Sequence, residues 1–503
     1  MVEQGAPAAP ERLGERHLGL PEVVGQAIGF VGPVFSAAFI IPFVAGANYA
    51  QRGAGIVTPL ALVFAAIGVA GIAWIIAAYA RRIAAAGAIY EYVTYGLGRA
   101  FGNLAGWVYY GGVTVLAVSV PLVFGGTTQG LLSLFGWTVN YWILGLCYVA
   151  VVSVLLYMGV RPSVRAQLLL VTVSVLFILG FMIYVVTKTP TNSFKAFDPS
   201  HSLTGSSGIF YGILYGILVF VGFESAANLG EETERPKRNV PLAIFISLGL
   251  VTAYYVFVSY AQAAGFEFNV QRLLSSQGPF FDLAAGGKGG YGNLTLEKIM
   301  YIVVILDILA VGLGTTLAAT RGLFAMGRDR RIPHAFARVS ARTGTPWVTI
   351  AFVMSLATVS TLLTRFDHGV LALQVPGAPK GTLFPEWYPL FNWYASFGGF
   401  CLAGVYALVC ISGVVGLLRL ENPVAVVVSA AIGGAAAVVA VYGGVYKVTG
   451  PNGDIKWAAL IWLVLGILLT VWLRSAGRLR QPVALAGALA EEPAPDAVPE
   501  LGG

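Results

Sequence analysis

The sequence predicts an all-α integral membrane protein with about twelve transmembrane helices, and three observations predict it. Of the 503 residues, 57% are hydrophobic and only 11% charged, against ~25% charged in an ordinary soluble domain. The mean hydropathy is +0.79. Apolar runs of about 20 residues, the length that crosses a hydrocarbon core of about 30 Å, recur along almost the whole chain. Too little polar surface remains to cover a water-soluble globule, so lipid must be the solvent for most of it.

In chain order, residues 1–18 form a polar, Pro/Ala-rich opening that lacks the apolar centre of a cleavable signal, and an N-terminal tail is expected there. Between charged or Pro/Gly-rich breaks, spans are expected near 21–46, 56–80, 100–131, 141–159, 164–187 and 208–230. They continue near 240–264, 296–325, 347–364, 388–418, 423–446 and 455–474. Residues 19–418 are read as a ten-helix core and 419–474 as two accessory helices. The tail 475–503 ends in EEPAPDAVPELGG and reads as disordered.

Basic residues orient the chain. With the N-terminus inside, twenty of the thirty Lys and Arg fall on the inner side, among them Arg81, Arg82, Arg235, Arg328, Arg330 and Arg331. Ten fall outside, among them Arg52, Lys188 and Lys288. The bias has the sign of the positive-inside rule, so both termini are expected in the cytoplasm; the unadorned loops and short tails fit a plasma membrane. The net charge of +7 is therefore topology, and its spread over many loops excludes a nucleic-acid partner.

Several function classes fall away. No GxxxxGK[ST] loop is present, so neither an ATP-driven pump nor an ATPase subunit is implied. Cys147, Cys401 and Cys410 lie in spans as small hydrophobes, and His17, His201, His334 and His368 lie in loops and tails without ligand spacing. No metal, cofactor or enzyme centre is expected. A channel would show a pore loop or rings of charge. A non-transporting sensor of the same fold stays open as an alternative of a different class.

Two spans break the rule that every backbone polar group in lipid must be paired. The first, GQAIGFVGPVFSAAFIIP, places Gly29, Gly32 and Pro33 near mid-bilayer, and an unwound segment is expected over Val31–Ser36. The sixth, YGILVFVGFESAANLGEE, carries Gly222 and an acid, Glu224, among apolar neighbours. Five helices separate their starts, so the two run in opposite directions. Paired interrupted helices in halves of opposite topology point to an inverted-repeat transporter with its site at the midplane.

Four stretches resemble the amino acid–polyamine–organocation permease superfamily. They are the broken first span, AAAGAIYEYVTYGLG at 84–98, FVGFESAANLGEETERPKRNVPLAI at 220–244, and TRGLFAMGRDRRIPHAFARVSARTGTP at 320–346. The resemblance implies a leucine-transporter-like fold of five plus five inverted helices with two accessory helices. It implies alternating access and an amino acid or related amine as cargo. It places substrate contacts at Gly29, Gly32, Pro33, Val34, Phe35 and Ser36 of the first span. Those of the sixth are Phe220, Gly222, Phe223 and Glu224, where a phenylalanine would serve as an aromatic lid. Where the family often has Gly-Ser-Gly, this chain has Gly32-Pro33-Val34. Proline cannot donate, so capture of a carboxylate there is in question, and Glu224 would suit a cationic amine.

Either Na+ or H+ is expected as the coupling ion, with exchange as the third mode. By resemblance to sodium-coupled members, Thr315 and Thr316 of span eight would join the carbonyls of Ile28 and Val31 around sodium, with Ser174 in span five nearby. Proton-coupled relatives place a lysine in span five, and this chain has no basic residue between Arg165 and Lys188. Asp307, eight residues before Thr315, is a vestibule charge, a proton site or a salt-bridge partner on this reading. Neutral amino acid, cationic amino acid and amine all remain open as cargo, and the oligomeric state is not legible.

Overall fold

The computed structural model of the chain describes residues 13, 17–46, 53–276, 278–287, 289–366, 387–446, 448 and 453–486. Most of the expected N-terminal tail, the C-terminal tail from residue 487, and Arg12, Arg16, Arg52, Lys288, His368, Lys380 and Lys447 lie outside them.

The described residues are almost wholly helical, with no strand and a single isolated bridge between Leu18 and Thr233. The first span is built of α1 (Leu20–Val31), α2 (Pro33–Phe39) and α3 (Ile41–Ala45). There follow α4 (Thr58–Ala80), α5 (Ala88–Leu97), α6 (Arg99–Ser133), α7 (Tyr141–Tyr157), α8 (Val160–Lys188) and α9 (Ser206–Val219). Beyond a 3-10 segment at Phe223–Leu229 come α10 (Pro236–Gly265), α11 (Val270–Ser275), α12 (Pro279–Ala284) and α13 (Leu294–Arg328). The last are α14 (Trp347–Phe366), α15 (Trp387–Leu417), α16 (Pro423–Val445) and α17 (Ile455–Ser475).

Among the described residues, eleven helices are long and apolar enough to cross a bilayer. The expected fourth span is α7, apolar but only 17 residues long. The fold class is therefore the one expected.

Helix starts follow local chemistry. Asn422 caps α16 by accepting from the N–H groups of Val424 (3.0 Å) and Ala425 (3.2 Å). Asn293 does the same for α13, accepting from Leu296 at 3.0 Å. Pro59, Pro236 and Pro423 sit in first turns, where their missing N–H is no loss.

The two longest helices, α6 and α13, pack on each other and carry α15, α7 and α8 around them. The broken first span lies deepest, against α8, α10, α13 and the 3-10 segment, with 83% of its apolar window buried. For α16 and α17 the figures are 28% and 22%. Their outward rows, such as Val424, Val427 and Ile461, Leu468, are apolar and exposed, as lipid-facing helices require.

Leu18, before α1, and the segment after α17 meet the same end of the bundle. The Leu18 N–H donates to the Glu232 carbonyl at 3.1 Å, and Glu234 N–H returns a bond to the Leu18 carbonyl at 2.9 Å. The segment after α17 crosses beside them, where Val483 N–H reaches Asp329 Oδ1 at 3.1 Å and Arg331 reaches the Arg480 carbonyl at 3.2 Å. We call this end the terminal side.

Candidate functional site

The first break is narrower than the expected Val31–Ser36. Only Gly32 leaves the helix, with φ 59 and ψ 75. Pro33 then opens α2 at the position where no donor is needed, so Val34, Phe35 and Ser36 are helical. A side chain at Gly32 would run into Val311 of α13. Glycine is required there on two counts, conformation and space.

The polar groups freed by the break have partners within the chain. Gly32 N–H donates to the Ile28 carbonyl at 3.0 Å, and Ser36 Oγ donates to the Val31 carbonyl at 2.8 Å. Phe35 N–H donates to Asp307 Oδ2 at 2.8 Å. Asp307 is fully buried, and its Oδ1 has no partner among the described residues.

At the second break α9 stops at Val219, Gly222 turns with φ 115, and the 3-10 segment follows. Glu224 is fully buried and folds back on this turn. Its Oε1 accepts from the Tyr109 hydroxyl at 2.7 Å and its Oε2 from Gly222 N–H at 3.1 Å. Phe220 packs edge-on against Tyr255 (5.4 Å between ring centroids), and Phe223 lies tilted against Tyr406 (6.0 Å). The two breaks touch, since a side chain on Gly222 would strike the Phe30 ring.

Between the breaks lies a cavity of about 180 Å³. Phe30, Val31, Phe35 and Ser36 line it from the first break, and Val219 and Val221 from the second. Leu116, Ser119 and Val120 of α6, Val311 and Thr315 of α13, and Phe391, Asn392 and Ser396 of α15 complete its deeper walls. Farther out its lining includes Phe43, Tyr446, Val448 and Ile455, on the side away from the termini. No charged side chain is among the described residues that line it.

Of the residues singled out in the sequence, Val31, Phe35, Ser36 and Thr315 therefore stand on the cavity wall. Ile28, Gly29, Gly32, Pro33, Val34, Phe220, Gly222, Phe223, Glu224, Thr316 and Ser174 stand behind it. Ser174 Oγ bonds to the carbonyls of Leu170 (2.8 Å) and Val303 (3.1 Å), tying α8 to α13. Ser119 and Asn392 escaped the sequence reading because a lone hydroxyl or amide in a span carries no signal of which face it takes.

The seam where α1 meets α8 and α13 is polar. Thr315 Oγ1 donates back to the Val311 carbonyl at 2.8 Å, whereas Thr316 Oγ1 is buried without a partner among the described residues. Gln26 Nε2 donates to the Gly314 carbonyl at 3.0 Å, leaving its Oε1 unpaired. The fully buried Gln167 amide is unpaired at both atoms and wedged so that a side chain on Gly29 or Gly314 would collide with it. A polar residue in apolar span five was the available signal for Gln167.

On the terminal side the cavity is closed by ion pairs. Arg328 grips Glu231 with two bonds of 2.8 Å, and Glu231 also accepts from Ala86 N–H at 3.0 Å. Arg321 and Glu232 pair at 3.2 Å. Tyr90 donates to Asp329, and Arg331 lies over the Tyr90 ring at 5.2 Å while bonding to Asn103 at 3.2 Å. Glu91, in short α5, is buried beside them with neither oxygen partnered among the described residues. Burial, and then the charge of Asp329, raise its carboxyl above the ordinary range.

Comparison with known proteins bears on this arrangement. The family model for amino acid permeases matches residues 23–472. A branched-chain amino acid permease of Bacillus subtilis (strain 168) is 24% identical over 343 residues, covering 62% of this chain and 67% of its own. A methylthioribose transporter of the same organism is 23% identical over 356 residues, covering 66% and 74%. An uncharacterised transporter of Mycobacterium tuberculosis (strain ATCC 25618 / H37Rv) is 28% identical over 342 residues, covering 67% and 71%.

Proposed function

We propose, from the premise that this chain belongs to the amino acid permease family, that it is a secondary transporter carrying a small amino acid or related amine across the plasma membrane by alternating access. The observation that carries the reading is the pair of broken helices enclosing one cavity, lined toward one side and sealed toward the other by the Arg328–Glu231 and Arg321–Glu232 pairs. Opening the terminal side requires those pairs to part while the outer walls at Phe43 and Tyr446 close. The largely apolar lining suits a cargo with an apolar body. Similar proteins are named for branched-chain amino acids and for methylthioribose, so family membership leaves the cargo open. The bias of basic residues supports cytoplasmic termini.

Sodium coupling is the finer part of this proposal. The unpaired oxygens of Thr316, Gln26 and Gln167 supply hard donors at the seam. Thr315 and the carbonyls of Ile28 and Val31 would have to release their present partners to join them. That prior engagement favours uncoupled exchange as a second reading, and proton coupling as a third.

Uptake of a labelled amino acid and amine panel into proteoliposomes, under separate sodium and proton gradients, tests the proposal. Accumulation that follows sodium and is lost in Thr316→Ala supports the coupled reading. Exchange only against a preloaded lumen supports the second. No movement of any panel member in either mode overturns transport in favour of a non-transporting sensor.

A further inference from the structure

Resting on the transport reading, we propose that Asp307 is the resident anion of the first break, so that the cargo of this cavity is an amine with an apolar body and no carboxylate. The N-terminal end of a half-helix attracts an anion through its free N–H groups and the dipole behind them. In α2 those donors are few. Pro33 has none, and the Ser36 N–H already bonds to the Gly32 carbonyl at 2.8 Å. Only Val34 and Phe35 remain. Phe35 donates to Asp307 Oδ2 at 2.8 Å. A carboxylate arriving with a cargo finds only the Val34 N–H at this end, beside a side chain of its own sign.

The second observation is the free second oxygen of the acid itself. Asp307 is fully buried, its Oδ1 has no hydrogen-bond partner, and it is in no ion pair among the described residues. It lies directly behind the cavity wall: Phe35, its bonding partner, lines the cavity, and so do Val311 and Thr315, one and two turns along the same helix. With no charged side chain among the described residues of that wall, the acids directly behind it supply the fixed charge, and Asp307 is the one at the first break. In a dry site it attracts an ammonium and repels a second carboxylate. The C-terminal end of α1, at Val31, adds carbonyl oxygens of the same sign.

The test is binding, read apart from uptake. Purified full-length protein is heated with leucine, leucinamide or isopentylamine, which share an apolar body and an amine and differ in the carboxylate. Leucinamide and isopentylamine are expected to stabilise the wild type at concentrations about tenfold or more below that needed for leucine. Asp307→Asn keeps the shape and an acceptor for Phe35 while removing the charge, and is expected to narrow the gap. Asp307→Ala, which also vacates the donors, is expected to close it; should that variant not fold, Asp307→Asn carries the test alone. Equal stabilisation by leucine and leucinamide in the wild type, an unchanged gap in Asp307→Asn, or no stabilisation by any of the three overturns the assignment. Leucinamide that binds but is not carried into proteoliposomes counts against transport and leaves the assignment of Asp307 standing.

Discussion

Arg321 of α13 and Glu232 pair at 3.2 Å with side chains 0% and 1% exposed. The pair ties the end of a long helix to the segment after the second break, and the same Glu232 accepts from the Leu18 N–H through its carbonyl. A buried pair is weak evidence of net stabilisation, but losing one member leaves an uncompensated charge. Glu232→Ala is therefore expected to cost about 3–5 kcal/mol, read as unfolding in detergent. The double change Glu232→Met with Arg321→Met should recover most of that loss. An unaltered midpoint in Glu232→Ala would mean that water reaches Arg321.

Gly32 is expected to tolerate no side chain. Its φ of 59 costs an L-residue roughly 1–2 kcal/mol, and the added carbon meets Val311. Gly32→Ala should abolish uptake in proteoliposomes, whereas Gly180→Ala, in open space on α8, should leave it intact.

Glu224 spends both oxygens within the protein, on Tyr109 and Gly222. Glu224→Gln keeps the volume but offers one acceptor in place of two, so one buried donor is stranded at about 1–3 kcal/mol. Tyr109→Phe should soften the effect, and the two changes together should be less than additive. Additive midpoints would separate the two residues.

Stability should depend on pH through Glu91. Its carboxyl is raised from 4.5, first by burial and then by Asp329, and the groups facing it are Asp329, Glu231, Arg328 and Arg331. Asp329 is raised as well, chiefly by burial. Folded protein thus holds these protons more tightly than the unfolded chain. The contribution of Glu91 is whole in acid below 4.5 and that of Asp329 below 3.8, and both are lost as pH climbs toward the raised values. Glu91→Gln should flatten the fall of the melting midpoint between pH 4.5 and neutrality. A wild-type midpoint that rises across this range would contradict the assignment.

Much of the protein was legible in one dimension because lipid imposes one-dimensional rules. Spans are apolar runs of a length set by the bilayer, and breaks in them show as Gly, Pro and stray acids. The two interrupted spans and the acids Glu224 and Asp307 stand out in the chain for that reason. What each acid touches does not. The partner of Asp307 is the N–H of Phe35, 272 residues away, and no local pattern encodes it. The extent of the first break was also hidden, since Pro33 reads as a helix breaker yet serves as a helix start.

The sequence by itself determined the solvent, the approximate number and rough bounds of the spans, and where the backbone would interrupt itself, because those depend on residues close in the chain. Only the tertiary structure decided which side chains face the cavity, which are spent holding the breaks together, and that the walls are uncharged. Those outcomes depend on how each helix is turned about its axis, and that rotation is set by packing against helices from the other end of the chain.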